Sequence, residues 1–189
     1  MPRKRTISDD DLADAALALV RQSGPGALSF AALAPRVGLA ASTIVQRFGT
    51  KAALLRAALS RAWDHLDADT ARAAAEAPLD PQGVVELLVR LSGQYDPDDE
   101  FADQLLILRE DLRDPVLRAR GRAWLATLVD AIERRLGDAP GGADGLGALV
   151  VAQWQGTLTV WSFQRDGSLP AAVRAALEEF VGRLGTARG

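Results

Sequence analysis

The sequence predicts an all-α protein, with a three-helix helix-turn-helix head over residues 1–50 joined to a larger helical body over residues 51–189. First, apolar residues recur three or four positions apart through most of the chain, which is the period of a helix with one buried face. Second, an Asp-Pro pair stands at 80–81, 96–97 and 114–115, and each pair offers a capping carboxylate followed by proline at the first helical position. Third, no stretch alternates apolar and polar residues as a half-buried strand does.

Composition restricts the classes of protein to which the chain can belong. Of the 189 residues, 48% are hydrophobic and 25% are charged, as in a globular protein with a core. Cysteine is absent from the sequence, so neither disulfides nor thiolate metal sites can form. No apolar run has the length of a membrane span, and the first residues turn acidic where a signal peptide needs apolar ones. We therefore expect a cytoplasmic protein with no membrane partner.

The net charge of −3 is unevenly distributed along the chain. Residues 1–61 contain nine Lys or Arg and four Asp or Glu, a net charge of +5, whereas residues 62–189 contain thirteen and twenty-one, a net charge of −8. A basic segment attracts polyanions, and an acidic one favours solubility. A polyanionic partner is therefore expected for the first segment, although charge also fluctuates along chains that bind no such partner.

Start and stop signals divide the head into short helices. Ser8 can cap the first helix, which is expected to stop near residues 24–26, Gly-Pro-Gly. Ser29 can cap a second helix that ends at Gly38, where the reversal of the chain favours a positive φ. Thr50 can cap a long fourth helix, which opens the body.

The third helix, from about residue 41 to 47, has an apolar and a polar face. Ile44 and Phe48 are four residues apart and therefore point inward together. The side chains left outside are small or polar: Ala41, Ser42, Thr43, Gln46 and Arg47. In a helix-turn-helix this helix lies in the major groove, where Gln pairs with adenine and Arg with guanine. The pattern favours contact with double-stranded DNA over a merely solvated helix face.

Residues 8–59 resemble the TetR family of transcriptional regulators. The resemblance rests on an amphipathic first helix and on these segments: Gly26-Ala27-Leu28-Ser29-Phe30, Gly38-Leu39, Thr43-Ile44-Val45-Gln46-Arg47-Phe48, Lys51 and Leu54-Leu55. It implies that Lys51 contacts a DNA phosphate and that Thr43 lies at the DNA surface. Ser29 belongs to the same motif and is included among the expected DNA-binding residues.

Three positions depart from the pattern of that family. Ala40 replaces the usual Ser, so the third helix lacks a side-chain cap unless Ser42 compensates. Val45 replaces a Tyr whose hydroxyl binds phosphate in the family. Arg47 replaces a His, which keeps a hydrogen-bond donor and adds a permanent charge.

The basic residues at the N-terminus have two interpretations. Arg3, Lys4 and Arg5 can form an arm that grips DNA, as N-terminal extensions in the TetR family sometimes do, or a solubilising tail without a partner. The sequence favours neither.

The body is expected to consist of helices with one apolar stripe each and a loop at 137–145. The predicted stripes are Val84, Leu87, Leu88 and Leu91; Phe101, Leu105, Leu108 and Leu112; Trp124, Leu125, Leu128, Val129, Ile132 and Leu136; Leu149, Val150, Trp154, Leu158 and Trp161; and Val173, Leu177, Phe180, Val181 and Leu184. Clustered carboxylates at 96–100 and 110–114 are interpreted as caps and first-turn charges. We expect no metal site, no cofactor and no catalytic residues.

Residues 146–164 are apolar nearly all round, so both sides of this helix are expected to be buried. Gly156 permits close approach of a neighbouring backbone. The TetR resemblance implies a homodimer whose interface is formed by the last two helices of each subunit, here 146–164 and 171–185.

Aromatic and polar residues of the body predict a site for a small-molecule effector. The candidates are Trp124, Gln153, Trp154, Thr157 and Trp161. Apolar walls with a few orienting polar groups are typical of ligand pockets. The alternative is a core helix whose Gln and Thr bond to backbone.

These expectations combine into a dimeric repressor that binds an inverted-repeat operator and is released by a small apolar effector. The alternative is a helical small-molecule carrier or enzyme without DNA binding. One histidine, no cysteine and no nucleophile–base pair in the sequence argue against an enzyme.

Overall fold

The computed structural model describes the backbone of residues 7–93, 100–137 and 145–186, and its regular elements within these ranges are all helices. They are α1 (Asp9–Ala27), α2 (Phe30–Val37), α3 (Ala41–Phe48), α4 (Lys51–Glu76), α5 (Pro81–Ser92), α6 (Glu100–Arg113), α7 (Pro115–Leu136), α8 (Leu146–Gln164) and α9 (Leu169–Thr186). The predicted all-α class is confirmed. None of the described helices combines the length and the hydropathy that crossing a membrane requires.

The helices begin at the capping residues that the sequence predicts. Ser8 Oγ accepts a hydrogen bond from the Asp11 N–H at 3.0 Å, while the Asp11 carboxylate accepts one from the Ser8 N–H. Asp80 caps α5 through the Gly83 N–H at 2.9 Å, with Pro81 in the first turn. Asp114 likewise accepts from the Val116 N–H at the start of α7. The predicted Asp-Pro start at 96–97 lies outside the described residues.

Gly24, Gly38 and Gly49 of the head adopt backbone conformations that other residues rarely adopt. Gly24 interrupts the regular geometry of α1 with φ 74° and ψ 163°, where the sequence predicted the end of this helix. Gly38 ends α2 in the left-handed region, with φ 67° and ψ 29°, as predicted. The absence of a Cβ removes the steric cost of these conformations, so the chain can turn sharply between helices.

The chain forms two compact units. The first unit comprises Met1–Leu66 and Ala102–Gly121, and the second unit comprises Asp67–Phe101 and Arg122–Gly189. Helices α4 and α7 therefore each begin in the first unit and end in the second. The functional boundary expected at residue 50 concerns DNA binding and stays a prediction.

The first unit has a single apolar core. Its fully buried members come from α1 to α4 and the start of α7: Ala16, Leu17, Leu19, Val20, Leu28, Leu33, Ile44, Leu54, Ala58, Leu59 and Leu117. Burial of a leucine-sized side chain stabilises a fold by roughly 1.5–3 kcal/mol. The eight-residue helices α2 and α3 are marginal alone, so they gain their stability from packing in this core.

The predicted core stripe of α6 is wrong. Leu105, Leu108 and Leu112 are 51%, 47% and 56% exposed, while the side that faces the core of the first unit carries Ile107 and Asp111. Periodicity locates an apolar face on a helix, but the neighbouring helices decide which face is covered. The buried Asp111 carboxylate has a hydrogen-bond donor in the first unit, because its Oδ1 accepts from Trp63 Nε1 at 3.2 Å.

Asp111 is an unusual carboxylate because only 9% of its surface is exposed. Burial raises the pKa of Asp111 to about 6; the hydrogen bond from Trp63 opposes this shift, and the charge of Asp114 adds to it. The folded protein consequently holds a proton on Asp111 between about pH 4 and pH 6, where the unfolded chain has lost it.

Replacing Asp111 by asparagine should stabilise the protein at pH 7. Because folded Asp111 binds a proton that the unfolded chain has lost, its contribution to the free energy of unfolding falls as the pH rises from 4 to 6. At pH 7 the raised pKa of Asp111 corresponds to a cost of about 3 kcal/mol. Asparagine still accepts the Trp63 hydrogen bond and has no charge to bury. Chemical denaturation at pH 4, 5, 6 and 7 measures the gain.

Asp130→Asn is the matched control, since Asp130 lies exposed on α7. It should leave the pH dependence of unfolding as in the wild type. An Asp111→Asn protein that is no more stable than the wild type at pH 7 would contradict the assigned burial of the charge.

The second unit packs α9 against α5 and α8. Two of its buried tryptophans form hydrogen bonds to neighbouring helices through their ring nitrogens: Trp124 Nε1 donates to Thr70 Oγ1 at 2.9 Å, and Trp154 Nε1 donates to Ser92 Oγ at 2.8 Å. Both hydrogen bonds are buried, so they orient the rings as well as satisfying their polar atoms.

A buried arginine donates hydrogen bonds to carbonyl oxygens at the C-terminal end of α4. Arg135 of α7 is 3% exposed and donates to the carbonyl oxygens of Ala74, Ala77 and Ala131. The Ala74 carbonyl belongs to the last turn of α4, whose acceptors have no partner within the helix, and Ala77 follows directly after that turn. Burial lowers the pKa of the Arg135 guanidinium below its ordinary value. Gly83 is the close neighbour on α5, where an added Cβ would lie 1.8 Å from the Pro78 carbonyl oxygen and 3.2 Å from Arg135 Nε.

Candidate nucleic-acid interface

Helix α3 is held in the first unit by one side and presents the other to solvent. Ile44 is fully buried and Phe48 half-buried against the core, as predicted. On the opposite side Ser42 and Gln46 are exposed, and Arg47 lies at the flank of the helix, about 60° around it from Ile44. Ala41 and Thr43 are half-buried at the edges of this face. The structure thus brings the five predicted contact residues of α3 onto one helix.

The first turn of α3 lacks a side-chain cap. Ala40 occupies the capping position and makes no side-chain hydrogen bond there, which agrees with the sequence analysis. Ser29, by contrast, uses its Oγ to accept a hydrogen bond from the Ala32 N–H at 3.1 Å, so it caps α2. The Thr43 N–H donates to the Ala40 carbonyl oxygen at 3.0 Å, whereas the N–H groups of Ala41 and Ser42 precede the first hydrogen bonds of the helix and can meet an acceptor such as a phosphate oxygen.

The Arg47 side chain contacts two residues at the start of α1. Its Nη1 donates to the Ile7 carbonyl oxygen at 2.8 Å, and its Nε lies 3.2 Å from Asp9 Oδ1. The Arg47 side chain is 29% exposed and that of Asp9 is 66% exposed. A guanidinium has five N–H donors, so these two contacts leave three.

Lys51 is the first residue of α4 and is exposed. Its Nζ donates to the Gly26 carbonyl oxygen at 3.0 Å, which places the ammonium group beside the turn between α1 and α2. Thr50 caps α4 through the Ala53 N–H at 3.1 Å, as predicted. An ammonium group carries three N–H donors, so Lys51 can bind a phosphate while it keeps this contact.

Ion pairs neutralise part of the basic charge of the first unit. Arg56 pairs with Asp114 at 2.6 Å, and Arg61 pairs with Asp14 at 2.9 Å. Arg36 instead donates to the neutral Gln22 side chain at 2.7 Å, and this contact does not neutralise its charge. The possible arm, Arg3 to Arg5, lies outside the described residues.

The residues predicted to bind an effector all lie in the second unit. Trp124, Trp154 and Trp161 are buried, whereas Gln153 and Thr157 are half-buried. Thr157 Oγ1 donates to the Gln153 carbonyl oxygen one turn earlier at 2.9 Å, as in the core-helix alternative. Trp161 differs from the other two tryptophans, because its buried Nε1 has no hydrogen-bond partner among the described residues. Arg165 lies over its ring, 5.7 Å from the centroid.

Sequence reasoning missed the two residues that hold Arg47. Neither Asp9 nor Ile7 is among the residues that the sequence predicts at the DNA-binding face. The contact joins residues about forty positions apart, which no local pattern reports. Asp9, Asp10 and Asp11 are consecutive, and nothing in the sequence distinguishes Asp9 from the other two.

One family matches the N-terminal part of the chain. Residues 12–58 match the tetR family of bacterial regulatory proteins. This range includes α2, α3 and most of α1. No curated protein matches the chain.

Solved structures share the fold along nearly the whole chain. A transcriptional regulator from Rhodococcus sp. Rha1 is 19% identical, with a TM-score of 0.73, and the match covers 95% of this chain and 97% of that chain. A TetR transcriptional regulator from Legionella pneumophila is 16% identical, with a TM-score of 0.68 and coverage of 95% and 99%. The fatty acid degradation regulator FadR from Bacillus halodurans is 16% identical, with a TM-score of 0.67 and coverage of 93% and 98%.

Proposed function

Through residues 12–58 this chain belongs to the TetR family of bacterial regulatory proteins, and we propose that it acts as a homodimeric repressor that binds an inverted-repeat operator and is released by a small apolar effector. The observation that carries the proposal is the solvent-facing polar side of α3. Ile44 anchors the helix in the core, so Gln46 and Arg47 stand outside on a rigid support. Side chains of these types read adenine and guanine in the major groove.

Selection of genomic fragments by the purified protein tests DNA binding and yields the operator. We expect enrichment of an inverted repeat whose half-sites lie about one DNA turn apart, roughly 34–36 Å. Binding to the enriched duplex should weaken steeply as salt rises, because neutralised phosphates release counterions. Failure to bind any duplex at low salt would favour the helical carrier or enzyme.

Replacing Arg47 or Gln46 by alanine should each weaken operator binding while the fold stays intact. A lost base contact corresponds to about 1–3 kcal/mol, or roughly 5- to 150-fold in Kd. Both residues are exposed and outside the core, so circular dichroism melting should change little. Fluorescence anisotropy with the selected duplex and with single base-pair variants measures the effect. Unchanged Kd in both variants would exclude these residues from base recognition.

Lys51→Ala should weaken binding to every duplex by a similar factor. A phosphate contact carries no sequence information, so its loss lowers the slope of log Kd against log salt by about one unit and leaves base preference unchanged. Lys51→Arg, which keeps the charge, is the control and should retain most of the slope. A loss restricted to one base pair would be incompatible with the phosphate role.

The proposed dimer rests on an open apolar stripe of α8. One side of this helix buries Val150, Trp154 and Leu158 within the second unit. The opposite side exposes Leu149 (54%), Val160 (55%) and Phe163 (86%), with Gly156 between them. These four residues are spaced three to seven apart and so form one stripe. Exposed apolar stripes of this kind on a monomer mark protein interfaces.

The proposed effector is a largely apolar or aromatic compound bound in the second unit. We expect the compound to carry one hydrogen-bond acceptor. The buried Trp161 Nε1–H is a donor that has no acceptor among the described residues, and such an acceptor would satisfy it. Helix α4 runs from Lys51, beside α3 in the chain, into the second unit and can couple the two events. Binding of the effector then lowers the affinity for DNA, and binding of DNA lowers the affinity for the effector by the same factor. Quenching of tryptophan fluorescence by apolar against phosphorylated metabolites tests the class of compound.

A further inference from the structure

The start of α1 lies against the residue that is proposed to read the operator. Two separate groups contact the Arg47 guanidinium from one side, the Ile7 carbonyl oxygen at 2.8 Å and the Asp9 carboxylate at 3.2 Å from Nε. The hydrogen bond from Nη1 and the ion pair at Nε restrict the positions that the guanidinium can occupy. Arg47 is thus held in place before any DNA arrives.

Asp9 takes no part in the side-chain cap of its own helix. Ser8 and Asp11 form the reciprocal cap of α1, with hydrogen bonds of 3.0 and 3.1 Å. Asp10 shares the same first turn and therefore the same favourable interaction with the helix dipole. The ion pair with Arg47 distinguishes Asp9 from Asp10 among the described contacts.

A carboxylate at this position carries an electrostatic cost for DNA binding. It reduces the positive charge near the face that is proposed to meet phosphates, so by charge alone its removal would strengthen binding to any duplex. As an exposed ion pair it contributes little to stability. The contact is therefore better explained by what it does to the position of Arg47.

We propose that Asp9 is a positioning residue that determines base discrimination by Arg47, which rests on the proposed function. Holding the long Arg47 side chain in advance reduces the conformational freedom that is lost when it binds a guanine edge. Three of the five N–H donors remain for the base, which suffices for the two hydrogen bonds to guanine O6 and N7. Without Asp9 the guanidinium is attracted equally to nearby phosphates, and the penalty for a wrong base falls.

The test compares Asp9→Asn with Asp10→Asn on the duplex selected from the genome and on its single base-pair variants. Both substitutions remove one negative charge from the same helical turn. Arg47→Ala first identifies the base pair that Arg47 reads. Asp10→Asn should strengthen binding to all duplexes by a similar small factor. Asp9→Asn should in addition lower the discrimination at the Arg47 base pair by about 3- to 10-fold, within the range of one base contact.

Two further variants separate positioning from a general structural effect. Asp9→Glu keeps the carboxylate and should restore most of the discrimination. Asp9→Asn combined with Arg47→Ala should discriminate no less than Arg47→Ala alone, because the two residues act as one unit. Thermal melting of each protein checks that α1 still folds.

Three outcomes would overturn the inference. If Asp9→Asn matches Asp10→Asn at every base pair, Asp9 acts only through its charge. If Asp9→Asn sharpens discrimination, Asp9 sequesters Arg47 rather than positioning it. If the wild type shows no sequence preference on any duplex, the proposed function itself fails, and this result is visible before any variant is compared.

Discussion

Replacing Gly156 by glutamate is expected to convert the proposed dimer into a monomer. An added Cβ at Gly156 meets no atom of the protomer within 4 Å, so the substitution should leave the protomer folded. In a symmetric dimer through the α8 stripe, two glutamates would face each other across an apolar surface. Burying these charges should raise the dimer Kd by about 100-fold or more, about 2.8 kcal/mol. Sedimentation velocity across a range of micromolar concentrations measures the change.

Gln155→Glu is the matched control for this substitution. It adds the same charge to an exposed position one residue away, about 100° around the helix from the stripe. It should leave the sedimentation coefficient close to that of the wild type. The dimer proposal fails if the wild type sediments as a monomer at micromolar concentration, or if Gly156→Glu sediments as the wild type does. Interfaces of obligate dimers commonly bury about 2,000 Å² or more, so the wild type should not dissociate readily.

Loss of the Arg135 side chain is expected to destabilise the second unit strongly. Arg135→Ala leaves carbonyl oxygens of Ala74 and Ala77 without their donor at the end of α4 and opens a cavity. Hydrogen bonds from a charged group contribute roughly 1.5–3 kcal/mol each, and the relief of the buried charge offsets part of this. We expect the free energy of unfolding to fall by about 3 kcal/mol or more in urea denaturation.

Arg134→Ala provides the control for the Arg135 prediction. Arg134 is exposed and adjacent in sequence, so the variant has the same net charge and the same change in helix propensity. It should change stability by less than about 0.5 kcal/mol. Arg135→Met keeps most of the volume and should lie between the two alanine variants. A methionine protein as stable as the wild type would show that the hydrogen bonds to α4 merely offset the cost of burying the charge.

Elements that depend on a few consecutive residues could be predicted from the sequence. Ser8, Asp80 and Asp114 begin their helices because a capping side chain needs only the N–H groups two or three positions ahead. Gly38 ends α2 because a left-handed residue costs little only without a Cβ. The inward face of α3 followed from Ile44 and Phe48, four residues apart.

The candidate site was predictable in its residues but not in its contacts. The sequence identified Gln46, Arg47 and Lys51 as outward or basic positions of the head, and they are exposed. It could not show that Arg47 is held by Asp9, or that Lys51 reaches the Gly26 carbonyl oxygen. These contacts join α1 to α3 and α4, and their distances depend on how the helices pack.

By itself the sequence determined the all-α class, the helix starts, the turns at Gly24 and Gly38, and the polar face of α3, since each follows from residues within one or two turns of each other. Only the tertiary structure decided that α6 turns Asp111 inward and its leucines outward. It also decided that Arg135 of α7 donates to a carbonyl oxygen in the last turn of α4. A helix with apolar residues on more than one side can be covered on either, and the choice depends on the packing of segments that lie far apart in the chain.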